Sequence, residues 1–131
     1  MSYFLPVRVY YQDTDAGGVV FHSSYIDFME RARSEWLRSL GFSNSGLMND
    51  LGIVFLVRAL DITYFRPALL DDLLDVGVEI ESLGRSLMVF RQEVKRGDAV
   101  LAAAKVSLVC AASDSFKPVS VPGAIREKLE N

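Results

Sequence analysis

The sequence predicts an α+β fold, with one long helix lying against an antiparallel sheet of about five strands. Three observations lead there. A helical repeat of apolar residues, Tyr25, Phe28, Met29, Ala32, Trp36 and Leu40, marks a single long stretch. Four later stretches are rich in β-formers, and apolar and charged residues alternate along two of them. Gly97-Asp98 joins the last two stretches as a tight hairpin turn.

The elements follow in order. Val7–Tyr11 alternates and is predicted as the first strand, with Pro6 just before it. Asp13-Thr-Asp-Ala-Gly-Gly18 then breaks regular structure. In the helix, Ser24 and Asp27 have the spacing of a capping box, and Gly41 stands where a C-terminal cap is expected. Asp27, Glu30, Arg31, Ser34 and Arg38 fall on its other faces. Asn44–Leu51 reads as a loop or helical turn. Strands are predicted over Ile53–Phe65 (stopped by Pro67), Leu73–Ser82, Ser86–Arg96 and Val100–Ala111. The apolar residues Leu101, Ala103 and Val109 are expected on the face away from the helix, which predicts an oligomer that covers them.

At 131 residues the chain suits one domain, residues 1–131, with a real core. Half the residues are hydrophobic and 24% are charged, a globular rather than a disordered composition. The formal net charge of −3 at pH 7 argues against a nucleic-acid binder, which needs a basic face. The N-terminus lacks the pattern of a signal peptide, and Ala99–Ala112, interrupted by Lys105, is too short to span a bilayer. No membrane insertion and a cytoplasmic location are expected. Cys110, the single cysteine, sits in an apolar alternating run and reads as a buried structural thiol.

The stretch Tyr10–Tyr25 carries the chemistry. It sets two carboxylates, Asp13 and Asp15, and two glycines between a strand and the start of an apolar helix. A helix N-terminus offers unpaired N–H groups and partial positive charge, which suit the oxyanion of an attacked carbonyl. A carboxylate beside such donors attacks a carbonyl or activates water. On the residues alone Asp15 reads first as a turn or capping residue, with catalysis the second reading. No metal is expected, because a calcium loop starting at Asp13 would have Gly17 and Ser24 where oxygen ligands are required. A phosphate-binding P-loop is excluded too, since no Gly-Lys-Ser/Thr follows the glycines.

The segment DTDAGGVVFHSSYIDFMERARSEWL resembles the signature of the 4-hydroxybenzoyl-CoA thioesterase family, and most of all its YbgC-type branch associated with the tol–pal cluster. Ile62-Thr-Tyr-Phe-Arg-Pro-Ala68, Asp71-Asp72 and Leu83-Gly-Arg-Ser86 agree with it. The resemblance implies a hotdog fold, a sheet wrapped around the long helix and assembled as a homodimer or homotetramer. It implies an acyl-CoA thioesterase of lipid metabolism with no cofactor, CoA being part of the substrate. The catalytic aspartate falls on Asp15, and the backbone donor to the carbonyl falls on His22, with Gly18 and Val19 lining the turn. A second branch of the fold has its carboxylate on the helix, which would favour Glu30 or Glu35. The His22 side chain is open to a role in substrate contact or in tuning Asp15. Tyr25 reads as helix packing or substrate contact. Arg66, Arg85 with Ser86, and Arg91 are candidates for the CoA phosphates, Arg85 with Ser86 first among them, though each taken singly reads first as a solvated surface charge. The alternative function is a non-catalytic module that binds acyl-CoA or an acyl carrier protein. A hydratase using Asp15 and His22 is a further rival.

Overall fold

The computed structural model describes residues 2–130. Strand β1 (Ser2–Arg8) is followed by a 3-10 turn, Tyr11–Asp13, and by helix α1 (His22–Ser39). Helix α2 (Asn44–Leu51), strands β2 (Ile53–Tyr64), β3 (Leu73–Leu83), β4 (Leu87–Arg96) and β5 (Ala99–Ala112), and helix α3 (Gly123–Glu130) complete the order. All neighbouring strands are antiparallel, in the order β1-β3-β4-β5-β2. The predicted class is therefore the observed one, and β2 to β5 begin and end within a residue of expectation.

The first strand lies earlier than predicted. Ser2 to Arg8 pair residue for residue with Glu79 to Leu73, while Tyr11 turns into the 3-10 segment. Pro6 sits inside β1 rather than before it, because an edge strand tolerates a residue with no N–H. Helix α3 falls in a stretch for which the sequence made no prediction.

Helix α1 starts at His22, two residues before the expected cap. Phe21 is its N-cap, no side chain caps it, and Ser24 is buried within the first turn. The predicted Ser24–Asp27 capping box does not form. A tertiary contact sets the start instead: the Phe21 N–H donates to the Asp13 carbonyl at 2.8 Å. The far end behaves as expected. Gly41 has φ +95°, its N–H donates to the Arg38 carbonyl, and Phe42 N–H donates to the Leu37 carbonyl, the Schellman pattern.

The helix packs on β1, β3 and β4. Its stripe of Tyr25, Phe28, Met29, Ala32, Trp36 and Leu37 is buried with Leu74, Val76, Met88, Phe90, Val94 and Val106 of the sheet. Trp36 meets Phe90 edge to face at 5.2 Å. One polar side chain enters this core. Gln92, 1% exposed, donates through Nε2 to the carbonyls of Met29 and Gly77, and its Oε1 accepts from Arg33. Helix and sheet are thus joined by directional bonds as well as by packing. Burial lowers the Arg33 pKa from its usual value, only partly offset by nearby Glu30.

Strand β2 forms the other edge of the sheet, and the helix leaves it largely uncovered. On its inner face Val57, Leu60 and Tyr64 are exposed, Val57 at 57%. A cavity of about 130 Å³ separates α1 from this strand, lined by Arg33, Trp36, Leu37, Phe55 and Val57 among others. Leu101 departs from expectation. Lys95 faces Val100 and Val94 faces Ala102, so Leu101 is the extra residue of a bulge, fully buried instead of on the outer face. Ala103 and Val109 are half-buried. Cys110 is buried, as expected, and burial raises its thiol pKa. Among the described residues, no helix is long and apolar enough to cross a membrane.

The connection from β2 to β3 is locked in place. The Phe65 and Arg66 N–H groups both donate to the Leu101 carbonyl, and Asp72 Oδ2 accepts from Leu69 N–H and from Arg96. Burial alone would raise the Asp72 pKa, but the Leu69 N–H and the Arg96 guanidinium outweigh it and hold the carboxyl below its ordinary value. Arg8 adds a bond to the Asp71 carbonyl.

Two expectations follow. Gln92→Ala strands the Arg33 guanidinium and two backbone acceptors and opens a void, so urea unfolding should show a loss of about 2–3 kcal/mol. The contribution of Asp72 is full above the unfolded carboxylate value, near ~3.9, and is lost as pH falls through the lower folded value. Asp72→Asn should therefore melt below the wild type at neutral pH, and the gap should close on acidification below about pH 4.

Candidate active site

The segment between β1 and α1 folds as a short two-stranded ribbon. The Phe21 N–H donates to Asp13, Thr14 bridges Val20, and the Asp15 N–H donates to the Val19 carbonyl at 2.9 Å. A turn over Asp15–Gly18 closes it, with Gly18 N–H donating to the Asp15 carbonyl. Gly18 has φ +80°, a conformation that disfavours any side chain. At Gly17 a Cβ would lie 3.1 Å from Asp15 Oδ1, so glycine gives the carboxylate its place. That same oxygen accepts the Gly17 N–H at 2.8 Å. The Asp15 side chain is therefore aimed by the turn, remains exposed, and keeps Oδ2 without a hydrogen bond among the described residues.

Asp13 does a different job. It is buried, and its Oδ2 accepts the Tyr10 N–H at 2.9 Å while its carbonyl receives Phe21. It fixes the base of the ribbon and so the start of α1. The ribbon also leans on the β2–β3 connection, because Val20 N–H donates to the Ala68 carbonyl and Val19 bridges Leu69. Two rungs of ribbon, roughly 7 Å at strand spacing, separate Asp15 from the rung at Phe21 that leads into the helix.

At the helix start four N–H groups lack helical partners. Phe21 and Ser24 find carbonyls, whereas His22 and Ser23 find no hydrogen-bond partner among the described residues. Those two donors, with the positive end of the helix dipole behind them, form a site for developing negative charge. The His22 imidazole lies tilted against Phe21, ring centroids 4.3 Å apart, and makes no hydrogen bond to Asp15.

Tyr64, at the end of β2, completes the junction. Its hydroxyl donates to the His22 carbonyl at 2.7 Å, and its ring meets Tyr25 edge-on at 5.2 Å. Tyr25 is buried, and its hydroxyl accepts the Ala68 N–H. Partial desolvation of the Tyr64 hydroxyl, with Tyr25 next to it, raises its pKa. A surface cavity of about 240 Å³ opens here, lined by Val20, His22, Tyr25, Tyr64 and Arg66 among others.

Asp15, Gly18, Val19, His22, Tyr25 and Arg66 are thus brought together around one ribbon–helix junction. Arg85 and Ser86 are not. They stand in the β3–β4 turn, and the 11 residues of β3 carry that turn to the opposite end of the sheet. There Arg85 Nε donates to Ser120 and the Ser86 carbonyl receives Cys110 N–H. Arg91 lies on the outer sheet face beside Glu79 and Lys105. Of the helix carboxylates, Glu30 accepts from Ser34 and Glu35 pairs with Arg38, both away from the ribbon. No residue-level signal in the sequence marks the junction role of Tyr64. The one signal is the stretch Ile62–Ala68 as a whole, which also supplies Arg66 and Ala68.

Comparison with known proteins identifies the family and the fold. Residues 17–103 match the thioesterase superfamily. The acyl-CoA thioesterase YbgC of Haemophilus influenzae is 41% identical over 125 residues, covering 95% of this chain and 92% of that protein. The acyl-CoA thioester hydrolase YbgC of Escherichia coli O157:H7 is 45% identical over 121 residues, covering 92% and 90%. The crystal structure of a probable thioesterase from Bartonella henselae superposes with a TM-score of 0.90 at 35% identity, covering 93% of this chain and all of that one. With its five-stranded antiparallel sheet set against a long helix in the hotdog manner, the chain belongs to the thioesterase superfamily.

Proposed function

We propose that this protein hydrolyses an acyl-CoA thioester to the free acid and CoA. The observation that carries this reading is the turn-held Asp15 carboxylate beside a helix start with two free N–H donors, His22 and Ser23. The thioester carbonyl oxygen points at these donors, and the charge it gains on attack is stabilised there. Asp15 takes a proton from the attacking water, or its Oδ2 attacks the carbonyl carbon to give a mixed anhydride that water then opens. In both routes the C–S bond breaks and CoA leaves as the thiolate. Gly18 and Val19 shape the turn, Tyr25 and Val20 wall the cavity, and Arg66 on its rim suits a CoA phosphate. The reaction asks for no cofactor beyond the CoA of the substrate. One buried, unpaired thiol suits a reducing compartment, and we place the activity in the cytoplasm.

We infer further that the working unit is a homodimer at least. The uncovered inner face of β2 is a long apolar edge of the kind that pairs with another chain. A two-fold pairing of β2 edges runs antiparallel. It would bring the partner's Gly84–Ser86 turn, and so the partner's Arg85, to the end of the sheet that carries Asp15.

Asp15→Asn keeps the Gly17 bond and the fold, so its melting temperature should match the wild type. Free-thiol release from a panel of short, long and aromatic acyl-CoAs should fall by about 10²–10⁴. Unchanged turnover would remove Asp15 from the mechanism, and acyl-CoA binding with no release by the wild type would favour a non-catalytic module. For the assembly, light scattering on a sizing column should give a multiple of the chain mass. Val57→Lys, which sets a charge on the uncovered face, should shift that mass toward a single chain.

A further inference from the structure

The Tyr64 hydroxyl bonds the carbonyl of the same peptide unit whose N–H belongs to Ser23. This peptide is unlike the others at the helix start. Its oxygen accepts a 2.7 Å hydrogen bond from a phenol 42 residues away, and its N–H is one of the two free donors of the site. A carbonyl that accepts a bond draws electron density through the amide, so the N–H on its other side becomes more positive and a better donor. The phenol is held for this task. Its ring rests edge-on against Tyr25, whose own hydroxyl is tied to Ala68 N–H, and Ala68 in turn holds Val20 through its carbonyl. The next residues, Phe65 and Arg66, are anchored on the Leu101 carbonyl, so the end of β2 has little freedom to drift from the helix.

We propose that Tyr64 is a positioning residue that fixes and polarises the His22–Ser23 peptide, strengthening the Ser23 N–H toward the oxyanion of the thioester under attack. This rests on the thioester-hydrolase reading and assigns a residue that acts through the backbone rather than on the substrate. A plain packing role is the rival. It predicts that the ring matters and the hydroxyl does not.

Tyr64→Phe tests the two, since it keeps the ring and removes only the donor. Losing a whole oxyanion donor costs 10²–10³ in kcat, and polarisation supplies about 10–30% of a bond, so kcat should fall about two- to eightfold with KM unchanged. The Ser23 amide proton should move upfield in a nitrogen–proton correlation spectrum, while the amides of α3 stay in place. Fluorotyrosine at position 64, a stronger donor, should move both readouts the other way until the pH exceeds its lowered phenol pKa. An unmoved Ser23 amide, or a kcat equal to the wild type in both variants, would overturn the proposal. If the wild type releases no thiol from any acyl-CoA, the hydrolase reading fails. The Ser23 shift then still decides whether Tyr64 polarises the helix start.

Discussion

Helix α1 has more sheet to cover than it can reach. Its apolar stripe lies on β1, β3 and β4, and the rest of the structure follows from that placement. The position of its axis leaves the inner face of β2 open along Val57, Leu60 and Tyr64. The same position puts its N-terminus over the end of β2, where Tyr64 reaches the His22 carbonyl. Gln92 holds the register, because its bond to the Gly77 carbonyl ties it to the sheet while the Met29 carbonyl and the Arg33 guanidinium bind it from the helix, and neither helix bond survives a shift of the helix along its axis.

Around that helix start, a set of small constraints replaces the usual cap. A Ser or Asp at the N-cap would satisfy one of the free N–H groups and occupy the place a ligand oxygen needs. Phe21 cannot do so. The helix still begins at a defined residue because Asp13 receives the Phe21 N–H, and Ala68 receives that of Val20. The cost of leaving His22 and Ser23 unpaired is thus met by tertiary bonds of the two residues just before them rather than by a side chain at the site itself. Asp72 and Arg96 belong to the same economy of contacts, since they hold the loop that carries Ala68 and Leu69.

The sheet and the helix were legible because burial imposes a period on the residues. Alternation along Val76, Val78 and Ile80 and the stripe through Phe28, Ala32 and Trp36 leave few other solutions. What was not legible is contact at long range. Whether a strand starts at Ser2 or Val7 depends on the reach of β3, and whether α1 starts at His22 or Ser24 depends on Asp13. Leu101 reads as an outward residue by parity, and only the bulge opposite Val94 and Lys95 turns it inward. In the site, the Asp-Thr-Asp-Ala-Gly-Gly stretch announced the ribbon. The phenol of Tyr64 and the placing of Arg85 at the opposite end of the sheet needed the fold.

The exposure of Asp15 and of the helix donors in a single chain bears on how the site would work. In open water an oxyanion is already well solvated, and two N–H groups add little to what solvent supplies. Their advantage grows as water is excluded, because fixed dipoles then act in a low dielectric without reorganising. The uncovered face of β2 lies next to these donors, with Tyr64 at the boundary between them. A second copy paired along the β2 edge would bury that apolar surface and shield the oxyanion site in one step. On this reading assembly would be part of catalysis: the apolar surface left open on β2 is the surface whose covering would make the carboxylate and the helix start effective.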